Sequence, residues 1–233
     1  MCGRFTLTAP DQDLAVQFNL PSIPSLEPRY NIAPTQPVAA VRETQDGSGR
    51  ELAMLRWGLI PFWAKDPGIG SRMINARSET VAEKPAFRTA FRRRRCLVLA
   101  DGFYEWQRQN GSKLPHYVRM QTGGPFAIAG LWERWEGQDA EVIQSCTLLT
   151  TEPNALIRPI HDRMPVILRP DDYDLWLDRE VDQPEVLQPL LHAFAAELMD
   201  AYPVSRLVNS PRNDEPQCIE PLVEEDAGRL PGL

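Results

Sequence analysis

An α+β fold, with a mostly antiparallel β-sheet partly closed into a barrel and flanked by helices, is predicted by three features of this sequence. Short runs of β-branched and aromatic residues recur along the chain. Turns rich in proline and glycine divide them, and helical periodicity is confined to a few stretches, without the strict strand–helix alternation of a parallel sheet. Twenty-two prolines among 233 residues make the fold loop-rich, and a hydrophobic content of 42% suffices for a real core. With no internal repeat or low-complexity linker, one domain over residues 1–233 is expected, its last residues, about 222–233, forming a flexible tail.

In chain order, Thr8 followed by Asp11 has the pattern of a capping box, with Pro10 in the first turn of a helix that runs through Phe18. Strands are expected at PVAAV (37–41), ELAMLRW (51–57), CLVLA (96–100) and FYEWQ (103–107), then at HYVRM (116–120), FAIAGLW (126–132), VIQSCTLLT (142–150) and PVIL (165–168). Asp101-Gly102 is a turn pair that would lead one strand directly into the next. In QPEVLQPLLHAFAAELMD, Val186, Leu187, Leu190, Leu191, Phe194 and Leu198 recur at helical spacing, which predicts a helix with a core-facing side.

Composition excludes several classes. No run of eighteen or more apolar residues exists, and the start lacks a basic segment followed by an apolar one, so neither a membrane span nor a signal peptide is expected and the location predicted is cytoplasmic. Cys2, Cys96, Cys146 and Cys218 lie far apart, without zinc-ligand spacing, so no metal, cofactor or disulfide framework is expected. Cys96 and Cys146 sit in strand-like apolar runs, where cysteine behaves as a small hydrophobe. The net charge of -7 conceals a division: residues 1–120 hold 17 Lys and Arg against 11 Asp and Glu, residues 121–233 hold 8 against 21. One basic face on an acidic protein can follow from such asymmetry.

Cys2 is the cysteine placed unusually. Removal of Met1 would give it a free amine beside its thiol, a 1,2-aminothiol whose groups titrate near about 7.7–8.0 and about 8.5, so both nucleophiles are accessible at neutral pH. Its natural trap is an aldehyde, which condenses with the amine to a Schiff base that the sulfur closes into a thiazolidine. Position alone equally allows a chain-start cysteine without a role. Glu105 lies among Phe103, Tyr104 and Trp106: burial would raise its pKa and suit it to shuttling protons, whereas strict alternation would turn it to solvent. His161 stands in a loop with Asp162 and Arg163, partners that can orient an imidazole or bind an anion, or that simply order the loop. Asn75 in INARSET can present an amide to a ligand or turn the chain, and Ser78 can cap a following helix. The run FRRRR (91–95) reads as a solvated helix end or, with Arg4, Arg72 and Arg77, as a phosphate track. Trp57, Phe62 and Trp63 are core aromatics or stacking surfaces for unpaired bases.

Taken together, MCGRF, RYNIAPT, WGLIPFW, NARSET, ADGFYEW, IHDRMPVIL and PVSRLVNSPRND resemble the SRAP family, the abasic-site processing proteins once described as SOS-response-associated peptidases, in order and spacing from residue 2 to about 214. The resemblance implies a single SRAP-like domain that crosslinks its exposed N-terminal cysteine to the ring-opened aldehyde of an abasic site in single-stranded DNA, shielding the lesion during the DNA damage response. By motif, Cys2 is then the nucleophile, Asn75 positions its amine and the sugar, Glu105 shuttles protons, and His161 assists ring opening and reversal. Arg4, Arg77 and Arg163 would contact phosphates. Asn31, Pro34 and Trp63 would contribute to the DNA groove. Residual lyase activity and self-catalysed removal of the first residue fit the same residues. The expected partner is abasic single-stranded DNA, bound by a monomer, on the nucleoid if the source is a bacterium. Two other readings compete: an N-terminal-nucleophile cysteine peptidase, with the Cys2 amine as base and Asn75 as oxyanion donor, and a non-covalent reader of single-stranded DNA in which Cys2 is inert.

Overall fold

The computed structural model describes residues 2–44, 46–109 and 111–222, the side chain of Asp139 apart, so the expected tail beyond Leu222 lies outside the described residues. From the start, the chain forms β1 (Phe5–Leu7), α1 (Asp11–Gln17), β2 (Arg29–Ile32), β3 (Pro37–Glu43), β4 (Arg50–Trp57), β5 (Asn75–Arg77), α2 (Arg88–Arg93), β6 (Arg95–Ala100) and β7 (Gly102–Gln109). It continues with β8 (Ser112–Met120), β9 (Phe126–Glu136), β10 (Val142–Thr151), β11 (Met164–Pro165), β12 (Ile167–Leu168), α3 (Tyr173–Leu177), α4 (Pro184–Leu187) and β13 (Met199–Pro203).

Two sheets organise these elements. β10, β4, β3, β6 and β9 pair in that order, and β9 returns to β10 over Val142–Leu148. The sheet expected to be partly closed therefore closes into a five-stranded barrel, which leaves those strands no free edge. β5 and β11 both pair with the far end of β10, and β12 pairs with β9. The second sheet is antiparallel, in the order β13-β8-β7-β1-β2. One hydrophobic cluster runs from Cys2 and Phe5 through every residue of β6 except Arg95 to Trp176 and Met199, so both sheets share a core. A smaller cluster of Tyr104, Tyr117, Val204 and Val208 covers the opposite face of β7.

Three local expectations are corrected. Asp101-Gly102 does not make a hairpin: β6 belongs to the barrel and β7 to the second sheet, and the two are not paired. The pair instead carries the chain across, with Asp101 accepting from the Thr6 hydroxyl and, at 2.7 Å, from the Thr8 hydroxyl. Thr8 is thus diverted from capping. α1 starts after Pro10 with no side-chain cap, and Asp11 Oδ1 accepts from the Leu26 amide at 3.2 Å. The predicted C-terminal helix stops at Leu187 and passes into a 3₁₀ turn over Gln188–Leu190, because Pro189 lacks an amide hydrogen and disfavours helical geometry in the residue before it. Leu187 and Leu191 still reach the core, while Val186 and Leu198 remain 42% and 53% exposed.

Candidate active site

The N-terminal segment is brought to the site by strand register. Phe5 pairs with Phe103 and the Tyr104 amide donates to the Arg4 carbonyl at 3.0 Å, so residues 2–4 run antiparallel beside Tyr104–Trp106. Asn75 opens β5, whose parallel pairing with β10 is fixed by Leu148↔Asn75 and Thr150↔Arg77. Its Nδ2 donates to the Cys2 carbonyl at 2.8 Å, while its buried Oδ1 has no hydrogen-bond partner among the described residues. A buried amide oxygen left without a donor costs on the order of 1–3 kcal/mol, and it is ready to accept one.

Glu105 is 1% exposed, which settles the two readings of its strand in favour of burial. Desolvation pushes its carboxyl up to about 7, so at neutral pH it can both take and give a proton. His161 Nε2 lies 3.8 Å from Glu105 Oε2. The Arg163 amide donates to His161 Nδ1 at 3.0 Å and Asp162 Oδ1 stands 3.0 Å from the same nitrogen, which fixes the ring with Nε2 toward Glu105. Burial lowers the His161 pKa and favours the neutral ring. Cys2 is fully buried, and desolvation, reinforced by the charge of Glu105, raises its thiol well above the usual range. Sulfur therefore waits as a thiol until a base receives its proton. Cys2, Asn75, Glu105 and His161 thus converge from four separate parts of the chain. Among the described residues no group of three or more His, Cys, Asp or Glu side chains is arranged to hold a metal.

The residues expected to contact DNA divide. The Arg77 side chain is exposed, with no hydrogen bond or ion pair among the described residues, and Trp63 is 50% exposed, lining a surface groove with Lys65 and Arg72. Pro34 is half-buried at the turn after β2. Three others are occupied internally. Arg4 donates to Asn31 Oδ1 and the Val208 carbonyl at 2.7 and 2.6 Å, and Arg163 makes a bidentate pair with Glu79 at 2.6 and 2.9 Å. Asn31 has no exposed surface, and its Nδ2 donates to the carbonyls of Val208, Ser210 and Asn213. It therefore ties the C-terminal loop to β2 instead of lining a groove. Ser78 caps no helix: it is buried and followed by turns. Nor does the arginine run form one track, since Arg94 pairs with Glu133 and Arg95 is buried against backbone carbonyls.

Three organising residues escaped the sequence reading. Asn154 Oδ1 accepts from the Ile157 amide at 3.0 Å and starts the turn whose last amide, that of His161, donates to the Ile157 carbonyl. An Asx turn in EPNAL was the available signal. Asp214 accepts from the amides of Tyr30 and Asn31 at 2.5 and 2.8 Å, and no local pattern announces so distant a contact. His116 stands opposite Glu105 in the β7–β8 ladder, which places it on the same face.

A model of the SOS response associated peptidases, SRAP, matches residues 1–211. The chain belongs to the SRAP family. Abasic site processing protein YoqW of Bacillus subtilis is 46% identical to this SRAP protein over 224 residues, which cover 94% of this chain and 99% of that one. Abasic site processing protein HMCES of Xenopus tropicalis is 36% identical over 227 residues, covering 84% of this chain and 67% of that protein. A crystal structure of a Bacteroides thetaiotaomicron protein superposes with a TM-score of 0.85 at 28% identity, covering 95% of this chain and all of that one. The fold is thus shared with a solved structure at 28% identity.

Proposed function

We propose that this SRAP protein processes abasic sites in single-stranded DNA by trapping the ring-opened sugar aldehyde on Cys2 once hydrolysis has removed Met1. The observation that carries this reading is the cluster itself: an amide donor on the Cys2 carbonyl, and a near-neutral carboxyl with a neutral imidazole beside it. The Cys2 amine adds to the aldehyde carbon, and the carbinolamine loses water to give an imine. The thiol sulfur then bonds to the same carbon while its proton passes, by way of Glu105, to the imine nitrogen. One water leaves overall and the product is a thiazolidine. The raised thiol pKa fits this order, amine first and sulfur second. An imine that escapes ring closure permits β-elimination of the 3′ phosphate, so a minor lyase activity belongs to the same chemistry. Asn75 Oδ1 is the acceptor for the Cys2 amine or a sugar hydroxyl, and Arg77 and Trp63 hold the strand beside the lesion.

Incubation with a uracil-glycosylase-treated single-stranded oligonucleotide, followed by a denaturing gel, tests the reading. The protein forms a heat-stable adduct, and Cys2→Ala abolishes it while retaining non-covalent binding. Abasic DNA held equally by Cys2→Ala under denaturing conditions would refute Cys2 as the attachment point.

A further inference from the structure

The arginine run that fails as a single track leaves a smaller basic feature. Backbone hydrogen bonds step from Arg77 to Thr80, from Thr80 to Glu83 and Lys84, from Lys84 to Phe87 and Arg88, from Phe87 to Phe91 and from Ala90 to Arg94, so the connection from β5 to α2 is almost continuous turn and helix. Its inner side buries Val81, Ala90 and Phe91. Arg88 and Arg92 lie one turn apart on α2, Lys84 stands four residues earlier in the turns that lead into it, and all three are exposed. None has a hydrogen bond or ion pair from its side chain among the described residues. The neighbouring charges are otherwise spoken for: Arg93 is held by Asp182 at 2.7 Å and Arg94 by Glu133 at 2.8 Å, while Glu79 is held by Arg163. Glu83 is the only carboxylate of the stretch without an ion pair among the described residues.

We propose that Lys84, Arg88 and Arg92 form a phosphate-binding ridge for the single strand that runs on from Arg77, away from the candidate site. Charge complementarity carries this assignment: three exposed cations with unpartnered side chains stand along one stretch of a protein whose net charge is -7, and that stretch continues the segment that leaves Arg77 beside the site. Guanidinium groups suit phosphate oxygens, and contacts of this kind hold a strand without reading its sequence. Arg88 and Arg92 stand about 6 Å apart along α2. The ridge acts by keeping flanking DNA in place; its role there rests on the site being a single-strand aldehyde trap, though its binding does not require the reaction.

The test measures the anisotropy of an undamaged fluorescent oligothymidylate of about 20 nucleotides, longer than one binding site, over a series of salt concentrations. K84Q/R88Q/R92Q lowers the slope of log affinity against log salt by about 2, since each lost phosphate contact on a single strand accounts for ~0.7. R88K/R92K retains the slope, because charge is kept. An unchanged slope in the triple variant overturns the proposal and points instead to an acidic protein face as the ridge's partner. A second arm uses 2-deoxyribose 5-phosphate, which offers the ring-opening aldehyde with no flanking strand to reach the ridge. The triple variant crosslinks it at the unaltered rate. Loss of that reaction in the variant alone overturns a separate ridge, whereas loss in the unsubstituted protein refutes the aldehyde trap and leaves the salt result standing.

Discussion

Glu105 is the residue whose environment does most to define the chemistry. Its carboxyl titrates near 7 because burial disfavours the charged form, against an ordinary value of 4.5. A raised carboxyl binds its proton more tightly in the folded chain. Its ionisation therefore costs stability as pH rises from about 4.5 to about 7, a loss on the order of 3 kcal/mol that is complete above that window. Glu105→Gln removes the titration. The variant gains on the unsubstituted protein between pH 5 and pH 8 in urea unfolding, and its crosslinking is slower by about 10²-fold or more, the usual scale of a lost proton shuttle, with the inflection near pH 7 gone. A variant that kept both the rate and the inflection would remove Glu105 from the proton path. The sequence left this residue open for a physical reason. Alternation in FYEWQ assigns Phe103 and Glu105 to one face and Tyr104 and Trp106 to the other, but both faces are covered. The shared core takes the first, and Val204 and Val208, a hundred residues on, take the second.

Among the elements, the crossing between sheets depends on one glycine. A Cβ on Gly102 would lie 2.1–2.4 Å from ring atoms of Tyr117, whose strand pairs with β7. Gly102→Ala is thus expected to destabilise the protein by about 2–3 kcal/mol, at the upper end of overpacking costs, read as a lower midpoint in urea. An unchanged midpoint would mean that the crossing has slack. Of the eight strands legible in the sequence as apolar runs, seven form as single strands, while PVIL divides at Val166 into β11, on β10, and β12, on β9. β1, β2 and β5 are three or four residues long and carry no such signal, yet they position Cys2, Asn31 and Asn75. The residues of the site were readable as motifs, because their types suit the chemistry. Their convergence was not, because it depends on pairings such as Leu148↔Asn75 that lie far apart in sequence. The helix predicted beyond Leu187 failed where Pro189 outweighed a periodic pattern.

At the scale of the molecule, the candidate site is a seam. Asn75 and the His161 loop hang from the barrel strand β10, while Glu105 and the N-terminal segment belong to the second sheet. The chemistry therefore depends on how one sheet is fixed against the other. Asp101 is the polar joint of that seam: it follows the barrel strand β6 and accepts from Thr6, in the middle of β1, and from Thr8, just past its end. Asp101→Ala leaves those donors without their acceptor and costs about 2–3 kcal/mol of stability. A displacement of Cys2 near 1 Å is enough to slow a positioned reaction by about 10²-fold, whereas the exposed groups proposed to hold DNA, Arg77 and the Lys84–Arg92 ridge, lie on segments the joint does not touch. The crosslinking rate at saturating abasic DNA is therefore expected to fall at least about 10-fold in Asp101→Ala, while affinity for undamaged strand stays within about two-fold. Rate and affinity are separable by single-turnover crosslinking beside anisotropy. A rate that survives the loss of stability would show that Cys2 and Glu105 are aligned by their own strand pairing, with the seam between the sheets contributing nothing to the chemistry.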